Sequence, residues 1–172
     1  MPSFISKVKK KLKSGAWYPF YNTFYEKVPV DKKEILLVSR SGLALESNIL
    51  AILKELNQPE YKEFYKVLAV QKNKKEQIQK KLERYGISVD KFVYTREPSY
   101  YYHLAKAGWL INDTTFPGRY IKKDGQTYLN VWHGTPLKRM GQDNPEERYD
   151  TGNVMRNLLQ SDYLVFPNLY ME

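Results

Sequence analysis

The stretch Glu34-Ile35-Leu36-Leu37-Val38-Ser39 decides the fold, because its apolar run predicts a buried β-strand. A turn around Ser41-Gly42 follows this strand, and glycine and serine are residues that turns favour. Ser47 or Asn48 then fits the position of a helix cap, and the helix is predicted to end near Asn57. Strand, turn and helix in this order form the first unit of a β-α-β pattern.

The same alternation continues along the chain. The other predicted strands are Tyr65–Val70, Phe92–Thr95, Trp109–Asn112, Thr127–Trp132 and Tyr163–Phe166. The other predicted helices are Lys74–Tyr85, Pro98–Ala107 and Val154–Leu159. Strands that alternate with short helices predict an α/β fold, with a Rossmann-like parallel sheet and flanking helices.

Ligands of such sheets collect outside the carboxyl ends of the strands. The loops after Ser39, Asn112 and Trp132 are therefore where chemistry is expected. This makes Ser41, Gly42, Asn48 and Asn112 candidate substrate-binding residues. A turn and a helix cap would account fully for the first three, and a turn-forming role would account equally well for Asn112.

Composition excludes several classes of protein. The chain has 172 residues, which suits a single domain with its own core. It has no cysteine, so disulfide scaffolds, thiolate metal sites and a cysteine nucleophile are excluded. The apolar runs are far shorter than the roughly 18–20 residues that span a bilayer. No metal-binding motif and no phosphate-binding glycine loop is present in the sequence, so neither a metal nor a cofactor is predicted in this chain.

The formal net charge of +9 is distributed unevenly. Residues 1–33 hold eight lysines against Glu26 and Asp31, a net charge of +6, and residues 34–172 carry the remaining +3. This division predicts a basic segment at residues 1–33 that precedes a folded domain at residues 34–172.

Apolar residues recur at helical spacing in the basic segment, which predicts an amphipathic helix. The predicted membrane-facing residues are Phe4, Ile5, Val8, Leu12 and Trp17 with Lys7, Lys9, Lys10, Lys11 and Lys13. A basic amphipathic helix followed by aromatics is typical of an anchor on an anionic membrane surface. Docking of the helix on the domain, with the aromatics as core, is the alternative. Nucleic-acid binding is disfavoured, because arginine is scarce here and no nucleic-acid-binding motif follows.

The most specific motif is Trp132-His133-Gly134-Thr135-Pro136-Leu137-Lys138-Arg139. A strand brings His133 to the edge of the sheet, and Gly134 permits a sharp turn or the close approach of a ligand. An imidazole beside two cations suits proton abstraction from a hydroxyl close to phosphate. A histidine hydrogen-bonded in a turn, with solvated cations, is the alternative.

This motif resembles the signature of the CDP-glycerol glycerophosphotransferases, the teichoic-acid primases and polymerases of Gram-positive bacteria. The resemblance extends more weakly over about residues 34–170. It implies the N-terminal half of a GT-B glycosyltransferase-like enzyme that transfers a polyol phosphate from CDP-glycerol, its donor substrate, to a lipid-linked acceptor and releases CMP. It also implies a peripheral location on the cytoplasmic face of the cell membrane.

The resemblance implies roles for individual residues. His133 would be the general base, and Asp143 would orient its ring. Lys138 and Arg139 would hold acceptor phosphates, with Gly134 and Thr135 lining the cleft. His103, within a tyrosine-rich helix, is interpreted as a packing residue.

The family's donor-binding half contributes a second histidine and a serine-threonine pair, which this chain lacks. The chain alone is therefore expected to be inactive and to need a C-terminal donor domain. The alternative is a non-catalytic module that binds an anionic polymer or membrane lipid head groups.

Overall fold

The computed structural model describes residues 18–118, 120–132 and 152–166. Among the described residues, five α-helices flank a central sheet of six strands. The helices are α1 (Tyr18–Lys27), α2 (Ser47–Glu55), α3 (Lys75–Arg84), α4 (Pro98–Lys106) and α5 (Gly152–Leu159). The strands are β1 (Asp31–Val38), β2 (Tyr65–Val70), β3 (Lys91–Tyr94), β4 (Ala107–Asn112), β5 (Thr127–Asn130) and β6 (Tyr163–Leu164).

The six strands form one parallel sheet in the order β3-β2-β1-β4-β5-β6. The chain builds outward from β1 to β3 and then returns through α4 to place β4 on the other side of β1. The order reverses between β1 and β4, and this reversal is where parallel sheets open a crevice for ligands. The predicted α/β class with a parallel sheet is confirmed.

Both faces of the sheet are covered, which explains why the strands are continuous apolar runs rather than alternating ones. Leu36 and Val38 of β1 pack with α4 on one face. Ile35 and Leu37 pack with α2 and α3 on the other face. Leu36 and Leu37 have no exposed surface, and burial of a leucine side chain stabilises a fold by about 1.5–3 kcal/mol.

Helix α1 belongs to this core. Tyr21 is 3% exposed, and its hydroxyl donates a 2.6 Å hydrogen bond to the carbonyl oxygen of Ile121. Phe24 packs edge-on against Tyr102 of α4, with ring centroids 5.7 Å apart. From Tyr21 onward the aromatic residues therefore follow the alternative interpretation, in which they belong to the core.

The predicted amphipathic helix and its candidate membrane residues, Phe4 to Lys13 and Trp17, lie outside the described residues. Across the described part of the chain, no helix combines the length and apolar character needed to cross a membrane.

Two details of the first β-α unit differ from the prediction. Strand β1 begins at Asp31, three residues early, because Asp31 pairs with Ala107 of β4 across a register shift. The predicted cap of α2 is wrong, since Glu46 occupies the cap position and no side chain caps the helix. The Asn48 amide is engaged elsewhere, on the carbonyl oxygens that follow β5.

Candidate active site at the carboxyl edge of the sheet

The carboxyl ends of β1, β4 and β5 lie side by side. Val38 of β1 is in register with Asn112 of β4, and Asn112 is in register with Asn130 of β5. The loops that follow these three strands therefore all begin at one edge of the sheet, on both sides of the point between β1 and β4 where the strand order reverses. This edge is the candidate active site.

A carboxylate joins the first two loops. Asp113, directly after β4, accepts a 3.0 Å hydrogen bond from the Ser39 hydroxyl and a 2.7 Å bond from the Arg40 backbone N–H. Asp113 and Ser39 are only 3% and 2% exposed. A buried carboxylate with hydrogen-bond donors on both oxygens is suited to holding a loop in place.

The loop held in this way has an unusual backbone. Arg40, Ser41 and Gly42 have φ angles of 48°, 54° and 80°, all in the left-handed region. A Cβ on Gly42 would lie 2.8 Å from Thr95 Cγ2 and 2.9 Å from the Gln71 backbone nitrogen. Gly42 thus lets the loop pack tightly against the end of β2, a packing reason for glycine that does not require a ligand. Left-handed residues other than glycine cost free energy and cluster at functional sites.

The tight loop leaves Ser41 at the surface. Its hydroxyl lies 3.3 Å from the Thr114 hydroxyl, which belongs to the loop after β4. Two hydroxyls from adjacent loops can each donate and accept hydrogen bonds, which is the chemistry needed to contact a polyol or a phosphate.

Asparagines occupy the last positions of β4 and β5. Asn112 Oδ1 accepts hydrogen bonds of 2.7 and 3.0 Å from the backbone N–H and hydroxyl of Thr114. Asn130 Nδ2 donates to the Thr114 carbonyl oxygen and to the Tyr128 hydroxyl, each at 2.9 Å. Asn112 therefore fulfils the predicted turn role. Its buried Nδ2 has no hydrogen-bond partner among the described residues.

The end of β5 is held by a third set of contacts. Asn48 Nδ2 donates to the carbonyl oxygens of Val131 at 2.9 Å and Trp132 at 3.3 Å. Asn130 Oδ1 accepts a 2.9 Å hydrogen bond from the Trp132 N–H. The chain then continues directly into His133.

Of the predicted substrate-binding residues, the structure brings Ser41, Gly42, Asn48 and Asn112 to this single edge. Ser41 and Asn48 are exposed there, whereas Gly42 and Asn112 are buried. The remaining predicted site residues, His133, Gly134, Thr135, Lys138, Arg139 and Asp143, lie outside the described residues.

Sequence reasoning missed Ser39, Thr114 and Asn130. Their signal was their position, since each is a polar residue at or just beyond the end of a buried strand. No group of three or more His, Asp or Glu residues that would hold a metal ion occurs within the described ranges.

A second polar cluster lies away from this edge. Glu34 of β1 has no exposed surface, and its Oε1 lies 2.6 Å from Nδ1 of His103 in α4. Its Oε2 accepts a 2.6 Å hydrogen bond from Lys106 Nζ, which also donates to Asp31 at 3.2 Å. Glu34 is four residues before Val38, about 13 Å along the strand. His103 is thus buried as predicted, but in an ion network rather than in purely apolar packing.

The charges of this cluster support one another. Burial lowers the pKa of Lys106, but its hydrogen bonds to Glu34 and Asp31 outweigh burial and raise that pKa overall. The backbone N–H of Lys33 and then the Lys106 ammonium lower the pKa of Asp31. Lysine and aspartate therefore both remain charged near neutral pH.

A family model described as CDP-Glycerol:Poly(glycerophosphate) glycerophosphotransferase matches residues 20–172. The teichoic acid poly(glycerol phosphate) polymerase of Bacillus subtilis is 28% identical to the chain over 180 aligned positions. That alignment includes 96% of this chain and 23% of the polymerase. The teichoic acid glycerol-phosphate transferase of Staphylococcus aureus is 40% identical over 74 positions, which include 38% of this chain and 18% of the relative.

Solved structures of the wall teichoic acid polymerase TagF have the same fold. One superposes with a TM-score of 0.69 at 19% identity, covering 98% of this chain and 42% of that protein. A second TagF structure, of a variant soaked with CDPG, superposes with a TM-score of 0.70 at 21% identity. The chain thus spans less than half the length of these proteins and less than a quarter of the B. subtilis polymerase.

Proposed function

The chain belongs to the CDP-glycerol:poly(glycerophosphate) glycerophosphotransferase family, and from this premise we propose that it is the acceptor-binding half of such a transferase. The complete protein transfers glycerol phosphate, or a related polyol phosphate, from CDP-glycerol to a lipid-linked teichoic acid chain. The observation that carries the proposal is the family match over residues 20–172, which includes the histidine motif. The position of β5 adds support, because the chain enters this motif from the carboxyl edge of a parallel sheet.

The reaction assigns a task to each part of the site. A terminal hydroxyl oxygen of the acceptor attacks the β-phosphorus of CDP-glycerol, and the bond from that phosphorus to the bridging oxygen breaks to release CMP. His133 accepts the hydroxyl proton, and Asp143 orients the imidazole. Lys138 and Arg139 bind acceptor phosphates, while Gly134 and Thr135 line the cleft.

The described residues contribute the acceptor side of this cleft. Ser41 is exposed beside Thr114, so paired hydroxyls face the edge where a polyol phosphate would lie. Asn112 and Gly42 hold the loops that present them. Donor recognition falls to a C-terminal domain, in line with the greater length of the relatives.

The division into two halves predicts that residues 1–172 alone do not bind or turn over CDP-glycerol. The full-length protein should release CMP and extend a lipid-linked glycerol phosphate acceptor. Calorimetry with CDP-glycerol on both proteins, together with a CMP-release assay, measures this directly. Tight binding of CDP-glycerol to residues 1–172 would contradict the division. Binding of the anionic acceptor by the full-length protein without any CMP release would favour a non-catalytic binding module.

We further propose that residues 1–17 attach the protein to the cytoplasmic face of a Gram-positive cell membrane. Five lysines in residues 7–13 provide attraction to anionic lipids, and each cation near such a surface contributes about 1 kcal/mol. The aromatic residues from Tyr21 onward are engaged in the core, so the proposed anchor is limited to the residues before α1.

Flotation with vesicles containing phosphatidylglycerol should therefore recover the full-length protein but not a variant that lacks residues 1–15. Because the attraction is electrostatic, binding should fall when the salt concentration rises. A matched control replaces the five lysines with glutamine and keeps the apolar residues. Equal flotation of all three proteins would eliminate the anchor.

A further inference from the structure

The backbone that leads into the histidine motif is held from both sides by asparagine amides. Asn48 Nδ2 donates to the carbonyl oxygens of Val131 and Trp132, at 2.9 and 3.3 Å. The N–H of Trp132 in turn donates a 2.9 Å hydrogen bond to Asn130 Oδ1. The carbonyl and the N–H of Trp132 are therefore both bound to side chains.

The conformation held in this way is unfavourable by itself. Trp132 has a φ of 37°, a left-handed value that is uncommon for a bulky residue. Such a conformation costs on the order of 1–3 kcal/mol and persists only where the surroundings hold it. The asparagine contacts supply that support, and they fix the direction in which the chain leaves β5.

The contacts of Asn48 also join two distant parts of the chain. Asn48 lies in the first turn of α2, 83 residues before Val131. The loop that precedes α2 is fixed to the residue directly after β4 by the bond from the Arg40 N–H to Asp113. A displacement of the start of α2 would therefore be transmitted to the residue that precedes His133.

We propose that Asn48 is a positioning residue, which aligns the His133 motif by holding the carbonyl oxygens of Val131 and Trp132. The inference rests on the proposed function of His133 as general base. Asn48 then acts through His133 and touches neither the transferred phosphorus nor the attacking hydroxyl. Since a misplacement of about 1 Å can reduce a rate 10²-fold, loss of this contact should lower kcat about 10- to 100-fold.

The test uses Asn48→Ala and Asn48→Asp in the full-length protein. Aspartate has nearly the shape of asparagine, but its carboxylate cannot donate a hydrogen bond to a carbonyl oxygen. Both variants should lower kcat and leave the KM for CDP-glycerol unchanged. Asn48→Gln keeps the amide donor on a longer side chain and should recover part of the activity.

Asn57→Ala is the matched control, since Asn57 makes similar contacts just beyond the other end of α2. Its Nδ2 donates to the carbonyl oxygens of Leu53 at 2.8 Å and Ser88 at 3.1 Å. Its Oδ1 accepts the Ser88 N–H at 2.8 Å. Asn57→Ala should lower the thermal midpoint at least as much as Asn48→Ala and leave kcat per folded molecule unchanged.

A double-mutant cycle with His133→Ala separates positioning from general structural damage. If Asn48 acts through His133, Asn48→Ala should not change the residual rate of the His133→Ala protein. A further fall by the same factor would overturn the inference, and so would wild-type kcat in both Asn48 variants or a kcat loss in Asn57→Ala. Normal turnover of His133→Ala itself would instead refute the proposed role of the histidine.

Discussion

His133→Ala in the full-length protein should reduce the rate of glycerol phosphate transfer by about 10²–10⁴-fold, the usual contribution of a positioned general base. The loss should appear in kcat, because the imidazole accepts a proton only as the acceptor hydroxyl attacks. Release of CMP from CDP-glycerol, with a lipid-linked acceptor in excess, measures it. Binding to vesicles should be unchanged, since the proposed anchor is a separate segment.

The other histidine of this chain provides the control. His103 is 3% exposed and contacts Glu34, so His103→Gln should lower stability and leave kcat per folded molecule intact. Wild-type activity should rise with pH as the imidazole that acts as the base loses its proton. That rise should persist in His103→Gln and disappear from the residual activity of His133→Ala. Near-normal turnover in His133→Ala would remove the base from the mechanism.

The sheet could be predicted because its strands are apolar runs bounded by turn residues. Strand β2 is observed where it was predicted, at Tyr65–Val70. Helix α1 was missed, because an aromatic-rich sequence such as Tyr18–Lys27 has no clear amphipathic period and fits an interface as well as a core. Its place became apparent only through contacts such as that of Tyr21 with Ile121, which are 100 residues apart.

The location of the candidate site could be predicted because parallel strands place their carboxyl ends at one edge. The contacts that build this edge could not, because each joins residues far apart in sequence. Ser39 and Asp113 are 74 residues apart, and Asn48 and Val131 are 83 residues apart. Turn and cap preferences are local properties, so they explained Asn112 correctly and Asn48 incorrectly.

Glu34 shows a related limit of sequence reasoning. It begins the predicted strand, where a glutamate is most simply exposed, yet it has no exposed surface. Its burial depends on His103 and Lys106, one turn apart on α4, which reach the two carboxylate oxygens. Charged groups are buried in proteins when they are paired in this way.

Glu34→Ala should therefore destabilise the protein by about 3 kcal/mol, since loss of one member of a buried ion pair leaves its partners without compensation. The Lys106 side chain is 27% exposed and retains Asp31, which places the expected cost at the lower end of the usual range. For a domain of this size, such a loss lowers the midpoint of thermal unfolding by about 6–12 °C. Thermal unfolding followed by circular dichroism measures the shift.

Two variants show whether the cost arises from uncompensated charge. Glu63→Ala removes the carboxylate of an exposed pair, in which Glu63 lies 2.8 Å from Lys33. It should leave the midpoint nearly unchanged, because water replaces the lost partner. The second variant combines Glu34→Leu with His103→Leu and so replaces both buried partners. It should be more stable than Glu34→Ala, because no histidine then remains buried beside a missing carboxylate. If the double variant is less stable than Glu34→Ala, the network contributes through packing that leucine cannot reproduce, and the electrostatic explanation is wrong.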